Sequence, residues 1–147
     1  MMLHRNFILF RSELFQHEQA DDQIGHWFVG GDCAGWFYAR LLPLPNIAPE
    51  TAPVMEDWGW FASVKTRDTD TSVALLVYPW DYLDHCWMIG LDPKRRFLRK
   101  QSDNIIRAAV DSVADQIDGV ISSDDRFESF GWYEKNPFET GVTDPRG

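Results

Sequence analysis

The side chains best suited to covalent chemistry in this chain are two cysteines, Cys33 and Cys86, with His85 beside the second. A cysteine nucleophile needs a base within hydrogen-bonding reach. Adjacent residues of a strand point to opposite faces, so His85 cannot activate Cys86 there. Cys33 falls on the apolar side of a predicted helix, where cysteine packs as a small hydrophobe. We therefore predict no catalytic residues and no enzymatic activity.

Motifs that hold metals, phosphates or nucleotides do not occur in the sequence. It has no Cys-x-x-Cys pair, no His-Glu-x-x-His, no glycine-rich phosphate loop and no Gly-x-Ser-x-Gly. Gly30 and Gly31 precede Asp32 at the start of a predicted helix, a position that can bind anions. The Asp32 carboxylate would occupy the place of the anion. We expect neither a metal nor a cofactor.

Charge is the strongest chemical signal in the sequence. The 147 residues include 23 acidic and 14 basic side chains, for a net charge of -9. Such a field repels nucleic acid and anionic membranes and attracts basic proteins. A basic stretch from Lys94 to Lys100 is the exception, and two interpretations of it stay open. It is either a salt-bridged edge, which the aspartates of the following helix favour, or a nucleic-acid patch.

Two strings combine carboxylates with large aromatic side chains, a composition typical of contacts with arginine and lysine. One runs from Glu56 to Trp60 and the other from Tyr78 to Asp84. The predicted partner-binding residues are Glu56, Asp57, Trp80, Asp81, Tyr82 and Asp84. Their acids would attract the partner, and Trp80 and Tyr82 would be apolar anchors. The alternative is that Trp58 and Trp60 are buried beneath a helix, and that the other aromatics cover the sheet edge.

The scaffold for these residues follows from hydrophobic periodicity. Alternation and β-prone runs predict strands at 3–11, 56–64, 72–80, 87–91 and 127–133. Helical spacing predicts a helix from Asp32, its N-cap, to Leu41, with Cys33, Trp36, Phe37 and Leu41 buried. A second helix is predicted from Ser102 to Ile121. Its apolar stripe includes Ile106, Val110, Val113 and Ile117, and Asp111, Asp115 and Asp118 face water.

The order β-α-β-β-β-α-β predicts an α+β fold, a two-layer sandwich of an antiparallel sheet with two helices on one face. Residues 46–55, with two prolines, are expected to be an irregular connection. Residues 1–135 are expected to form a single domain, followed by a loosely held tail from 136 to 147. No secretion signal or membrane-length apolar run is found, so we expect a soluble cytoplasmic protein with no membrane partner.

Two strings of the sequence resemble a plan that recurs among small bacterial proteins. They are Gly-Gly-Asp-Cys-Ala-Gly-Trp-Phe-Tyr-Ala-Arg-Leu and Pro-Val-Met-Glu-Asp-Trp-Gly-Trp, and the resemblance covers residues 25 to 135. In that plan a helix leads to a Trp-Gly-Trp strand, a meander, a long helix and a last strand. The size and charge are also similar to those of cognate immunity proteins of bacterial toxin systems, including contact-dependent growth inhibition. The resemblance implies a protein that binds and blocks a toxin.

Three functional hypotheses follow. The first is an acidic binding protein that neutralises a basic protein partner, a cognate immunity protein for a nuclease-like toxin domain, with no nucleic-acid ligand of its own. The second is a small-ligand-binding protein or enzyme whose pocket lies between sheet and helices, lined by Trp58, Trp60 and Trp87. The third is a nucleic-acid mimic whose spaced carboxylates occupy a DNA-binding protein.

Overall fold

The computed structural model describes residues 4–15, 29–80, 84–94 and 101–141 of the chain. Its strands are β1 (Phe7–Arg11), β2 (Ile47–Glu56), β3 (Gly59–Thr66), β4 (Thr71–Pro79), β5 (Cys86–Lys94) and β6 (Glu128–Tyr133). Its helices are α1 (Gly31–Leu41), α2 (Asp103–Ser122) and α3 (Pro137–Thr140). The start of the predicted first strand, residues 95–100 of the basic stretch and the tail from 142 lie outside the described residues.

The sheet is antiparallel throughout, with the strand order β2-β3-β4-β5-β1-β6. Strands β3 to β5 form the predicted meander, β2 adds a strand at its edge that was not predicted, and β1 lies between β5 and β6. Helices α1 and α2 both pack on one face, where they bury Ile8, Phe10, Leu75 and Ile89 among other side chains. The predicted α+β fold, with two helices on one face of an antiparallel sheet, is confirmed.

Helix α2 matches its prediction closely. The Ser102 hydroxyl accepts a hydrogen bond from the Ile105 backbone N–H, as an N-cap does. The predicted stripe is buried against the sheet, and it comprises Ile106, Val110, Val113 and Ile117. The prediction succeeds because twenty residues with a regular apolar period leave only one face to bury.

Residues 47–56 correct the sequence prediction, since they form strand β2 and not an irregular connection. The two prolines, Pro49 and Pro53, argued against a strand. However, β2 is an edge strand that pairs only with β3, and its register shifts between Pro49 and Thr51 and again between Thr51 and Val54. An edge strand needs N–H groups on one side only, so proline is tolerated there and at bulges.

Helix α1 begins at Gly31 with Gly30 as its N-cap, two residues before the predicted Asp32 cap. The Asp32 carboxylate instead accepts a hydrogen bond from the Cys33 backbone N–H. The two glycines have a packing role, because the Trp60 indole lies against them. A Cβ atom on Gly31 would be 2.7 Å from Trp60 Cζ2. The Gly-Gly pair therefore lets β3 approach the start of α1.

The segment predicted to be a loosely held tail begins with an ordered helix. In α3 the Asn136 side chain accepts a hydrogen bond from the Phe138 backbone N–H. Gly141 ends the helix in the left-handed conformation, as is common at helix C-termini. The Phe138 ring packs on Trp80 with ring centroids 4.3 Å apart. Residues 136–141 are thus attached to the sheet face opposite α1 and α2.

We predict that Gly31→Ala destabilises the protein by about 1–3 kcal/mol, since the new methyl group would overlap the Trp60 ring. Gly35→Ala, in the same helix, is the matched control. No heavy atom lies within 4 Å of a Cβ atom at Gly35, so that variant should gain roughly 0.5–1 kcal/mol from helix propensity. Urea unfolding of both variants measures the difference, and equal stabilities would contradict the packing role.

We also predict that Val113→Asp lowers the free energy of unfolding by several kcal/mol, because it buries an unpaired charge at a side chain with 0% exposure. Ala108→Asp places the same side chain on the exposed side of α2 and should have little effect. Thermal unfolding followed by circular dichroism tests the pair. An unchanged melting temperature for Val113→Asp would refute the position of this side chain in the core.

Candidate protein-binding surface

Two hairpin connections lie at the same end of the sheet. The β2–β3 turn contains Asp57 and Trp58, and the β4–β5 connection contains Asp84. They share one end because successive turns of a meander alternate between its two ends. The carboxylate residues Glu56, Asp57 and Asp84 are all exposed there. The predicted site residues Asp81 and Tyr82 lie outside the described residues.

Gly59 sends the two tryptophans beside it to opposite faces of the sheet. Its φ angle is +156°, and a Cβ atom would be 2.7 Å from the Val77 carbonyl oxygen. Trp60 points toward the helices, where it packs on the main core. Trp58 lies on the other face, with its ring centroid 6.0 Å from that of Tyr78 at an interplanar angle of 84°. The sequence prediction placed both indoles on one side, because strict alternation does not allow for such a glycine.

Four aromatic side chains on the outer face of the sheet form a continuous series of ring contacts, which we call the aromatic row: Trp58, Tyr78, Phe138 and Trp80. Tyr78 stacks on Phe138 with ring centroids 5.6 Å apart and an angle of 27°. Phe138 in turn covers Trp80, whose exposure is 0%. The row therefore runs from an exposed end at Trp58 to a buried end at Trp80.

The burial of Trp80 corrects its predicted role as an exposed anchor. Trp80 belongs to a second apolar cluster with Leu9, Cys86 and Met88, on the face of the sheet opposite α1 and α2. In this position its ring cannot reach a partner. The sequence does not predict that Phe138 covers Trp80, because Phe138 is distant in the chain and falls in the segment expected to be a loosely held tail.

The exposed tryptophan at this end of the sheet is Trp58, which lies in the β2–β3 turn and not, as the sequence predicts, in a strand. Val54, Met55 and Trp58 have exposures of 43%, 37% and 44%. Together with Glu56 and Asp57 they form the hairpin tip, residues 54–58. Tryptophan and methionine are enriched in protein interfaces relative to the rest of the surface. The sequence predicts a contact surface in the string Glu56 to Trp60 from its carboxylates and aromatic side chains, but only the fold identifies which indole is exposed.

The aspartates of α2 that were predicted to face water are exposed or half-buried, and three of them are also paired with described residues. Arg5 Nη2 lies 2.7 Å from Asp115 Oδ1, and Arg107 Nη2 lies 3.2 Å from Asp111 Oδ1. Asp118 Oδ1 accepts a hydrogen bond of 3.1 Å from the Trp132 indole N–H. By contrast, Glu56, Asp57 and Asp84 form no ion pair with any residue that the structure describes. Other exposed acids of the described chain, such as Asp68 and Glu139, likewise form no ion pair with a described residue, so the hairpin end is one of several places with unpaired carboxylates.

A pocket lined by Trp58, Trp60 and Trp87 is not formed. Trp87 is fully buried and lies near Gly30 together with Trp60, whereas Trp58 is on the opposite face. Two clefts of 460 and 520 Å³ are found in the described part of the chain. None of the three tryptophans lines either one. The three tryptophans therefore do not line a common pocket, which is the arrangement that the ligand-pocket hypothesis requires.

The two cysteines lie on opposite faces of the sheet, Cys33 in the main core and Cys86 in the second cluster. Both are free and buried. Burial, and to a lesser degree the neighbouring Asp32 carboxylate, raises the pKa of Cys33 well above its usual value. A thiol that holds its proton is a poor nucleophile. The geometry therefore supplies no cysteine pair and no activated thiolate.

Within the residues described, no cluster of three or more histidine, cysteine or acidic side chains could hold a metal ion. Over the same residues, no helix is long and apolar enough to cross a membrane.

Comparison with protein-family models, with curated proteins and with solved structures finds no match to this chain.

Tyr78 gives a pH-dependent test of the aromatic row. Burial raises the pKa of Tyr78 to about 12, with a smaller increase from Glu139 and an opposing effect of the Asn136 hydrogen bond. Because the pKa is higher in the folded state, Tyr78 contributes stability below pH 10, its unfolded pKa, which is lost as the pH rises toward about 12. We predict that Tyr78→Phe loses less stability than the wild type over this range.

Unfolding in urea at several alkaline pH values measures this difference, and Tyr38→Phe controls for the loss of a phenol elsewhere. Parallel pH profiles for the wild type and Tyr78→Phe would show that the Tyr78 hydroxyl is not shielded by Phe138 and its helix.

Proposed function

We propose that this protein is a binding protein that neutralises a basic protein partner, and that it acts without catalysis. The observation that carries the proposal is the hairpin tip. There Glu56 and Asp57 lack ion-pair partners among the described residues and directly precede an exposed Trp58. Carboxylates attract a basic surface and speed its encounter, and a large aromatic side chain slows dissociation. The carboxylates and the exposed aromatic side chain that such an interface needs both occur within the five residues of the hairpin tip.

The distribution of charge supports a localised interface over a nucleic-acid mimic. A mimic needs a regular array of exposed carboxylates, and α2 was the element whose aspartates could supply it. Asp111, Asp115 and Asp118 are instead engaged by Arg107, Arg5 and Trp132. Asp57 and Asp84, by contrast, are exposed and form no ion pair with the described residues.

The resemblance to immunity proteins suggests the kind of partner. Nuclease toxin domains have basic active sites because they bind phosphates, so an acidic inhibitor complements them in charge. We propose that the partner is such a toxin domain, encoded beside this protein and bound in the cytoplasm. An inhibitor that covers the site needs charge and an apolar anchor on one surface, as the hairpin tip has.

The test uses the basic domain encoded by the neighbouring reading frame, with association and dissociation rates measured by surface plasmon resonance. We predict that Asp57→Lys slows association at low salt by about two- to tenfold. Asp68→Lys is the matched control, because Asp68 is also an exposed turn residue but lies in the β3–β4 turn at the opposite end of the sheet. It makes the same change in net charge and should have a smaller effect.

In the same experiment, Trp58→Ala should speed dissociation, with a loss of about 2 kcal/mol, or roughly thirtyfold, if Trp58 is the anchor. The domain should remain folded, because the side chain is exposed. An association rate indifferent to salt between about 50 and 500 mM would contradict the proposal. So would an acidic partner, or equal effects of Asp57→Lys and Asp68→Lys.

A further inference from the structure

One cluster in the described chain joins an arginine, a tryptophan and two aspartates, and each of these side chains contacts another member of the cluster. The Arg5 guanidinium carbon lies 5.7 Å from the centre of the Trp132 ring, and Arg5 Nη2 lies 2.7 Å from Asp115 Oδ1. The Trp132 indole N–H donates to Asp118 Oδ1 at 3.1 Å. One guanidinium is thus stacked near an indole and paired with a carboxylate at the same time. Arg40 lies over Trp36 in a similar way, at 4.9 Å.

The hairpin tip has the same residue types but no cation. Trp58 is 44% exposed and is flanked in the chain by Asp57 and Glu56, which are also exposed. No arginine or lysine among the described residues forms an ion pair with either acid. The tip therefore has the indole and carboxylates of the internal cluster, without a cation from the residues that the structure describes.

We propose that the hairpin tip binds an arginine side chain of the basic partner. The guanidinium stacks on the exposed Trp58 indole and donates hydrogen bonds to Glu56 or Asp57. This inference rests on the proposed function and adds the chemistry of the contact, since it requires arginine where the proposed function requires only positive charge.

Arginine fits this arrangement better than lysine for a geometric reason. Its planar guanidinium can stack on an aromatic face while its N–H groups, which lie in the guanidinium plane and point outward, donate to carboxylates beside the ring. A lysine ammonium is a compact, strongly hydrated charge without a plane to stack. A cation over an exposed indole contributes about 0.5–1 kcal/mol, and more when water is excluded.

The aromatic row holds the indole in position for such a contact. Trp58 meets Tyr78 edge to face at 84°, and Tyr78 is stacked on Phe138 in turn. The Asn136 side chain caps the helix that carries Phe138. Because these contacts restrict the Trp58 side chain before binding, less rotamer entropy is lost when a partner docks.

The experiment compares an oligo-arginine and an oligo-lysine peptide of equal length, each titrated into the full-length protein by calorimetry at low salt. We expect the arginine peptide to bind about fivefold more tightly. Trp58→Leu, which keeps an apolar side chain but removes the aromatic face, should abolish that preference. Glu56→Gln with Asp57→Asn should weaken the binding of both peptides. Trp132→Leu, at the occupied internal cluster, is the control and should leave the preference unchanged if that variant is folded by circular dichroism.

Each other outcome overturns the inference in a distinct way. Equal binding of the two peptides, with both weakened by Asp57→Asn, would refute the arginine site and leave the acidic binding surface of the proposed function intact. A preference for arginine that survives Trp58→Leu would refute the stacking. Binding of neither peptide would refute the site as an arginine receptor, while the proposed function would still be decided by the salt-dependent kinetics with the encoded partner.

Discussion

The β2–β3 hairpin depends on the close contact between the Gly59 backbone and the carbonyl of Val77. With a φ angle of +156° and 2.7 Å between a hypothetical Cβ atom and that oxygen, no other residue fits there without displacement of β4. This contact affects the side chains on both faces of the sheet. On the inner side Trp60 is directed against the two glycines that begin α1, and on the outer side Trp58 is directed into solvent. The core and the candidate site thus depend on the same residue.

The basic residues of the described chain act mainly in folding. Arg5 and Arg107, from the start of β1 and from α2, link those elements through aspartates and through Asn6. Each such pair contributes little by itself, since surface ion pairs are worth about 0–1 kcal/mol. Each pair joins one positive and one negative side chain, so it leaves the net charge of -9 unchanged.

The outer face of the sheet shows why α3 matters. Antiparallel sheets commonly leave one face in water, yet Leu9, Trp80, Cys86 and Met88 are fully buried on this one. Phe138 is part of their cover, and it also supports Tyr78 and, through it, Trp58. A short helix near the C-terminus therefore connects the second apolar cluster to the exposed anchor.

The elements could be predicted where a single physical signal was dominant. The period of α2, the continuous β-prone run of β4 and the polar turn between β3 and β4 each agree with the structure, because local spacing alone determines which side chains can be buried. The prediction failed at β2, whose prolines are acceptable only at an edge, and edge position is a property of the sheet and not of the segment. It failed at α3 because the aromatic rings that hold the helix come from distant strands.

The sequence by itself determined the fold class, the long helix, the strong negative charge and the string of residues from which the candidate site is built. Only the tertiary structure decided which aromatic side chain is exposed and which carboxylates are uncompensated. Trp80 and Trp58 have similar neighbours in the chain, yet one is covered by Phe138 and the other is open to solvent. The composition gives the number of charged and aromatic side chains. Whether each one is exposed or paired depends on residues far away in the chain, which only the folded structure brings into contact.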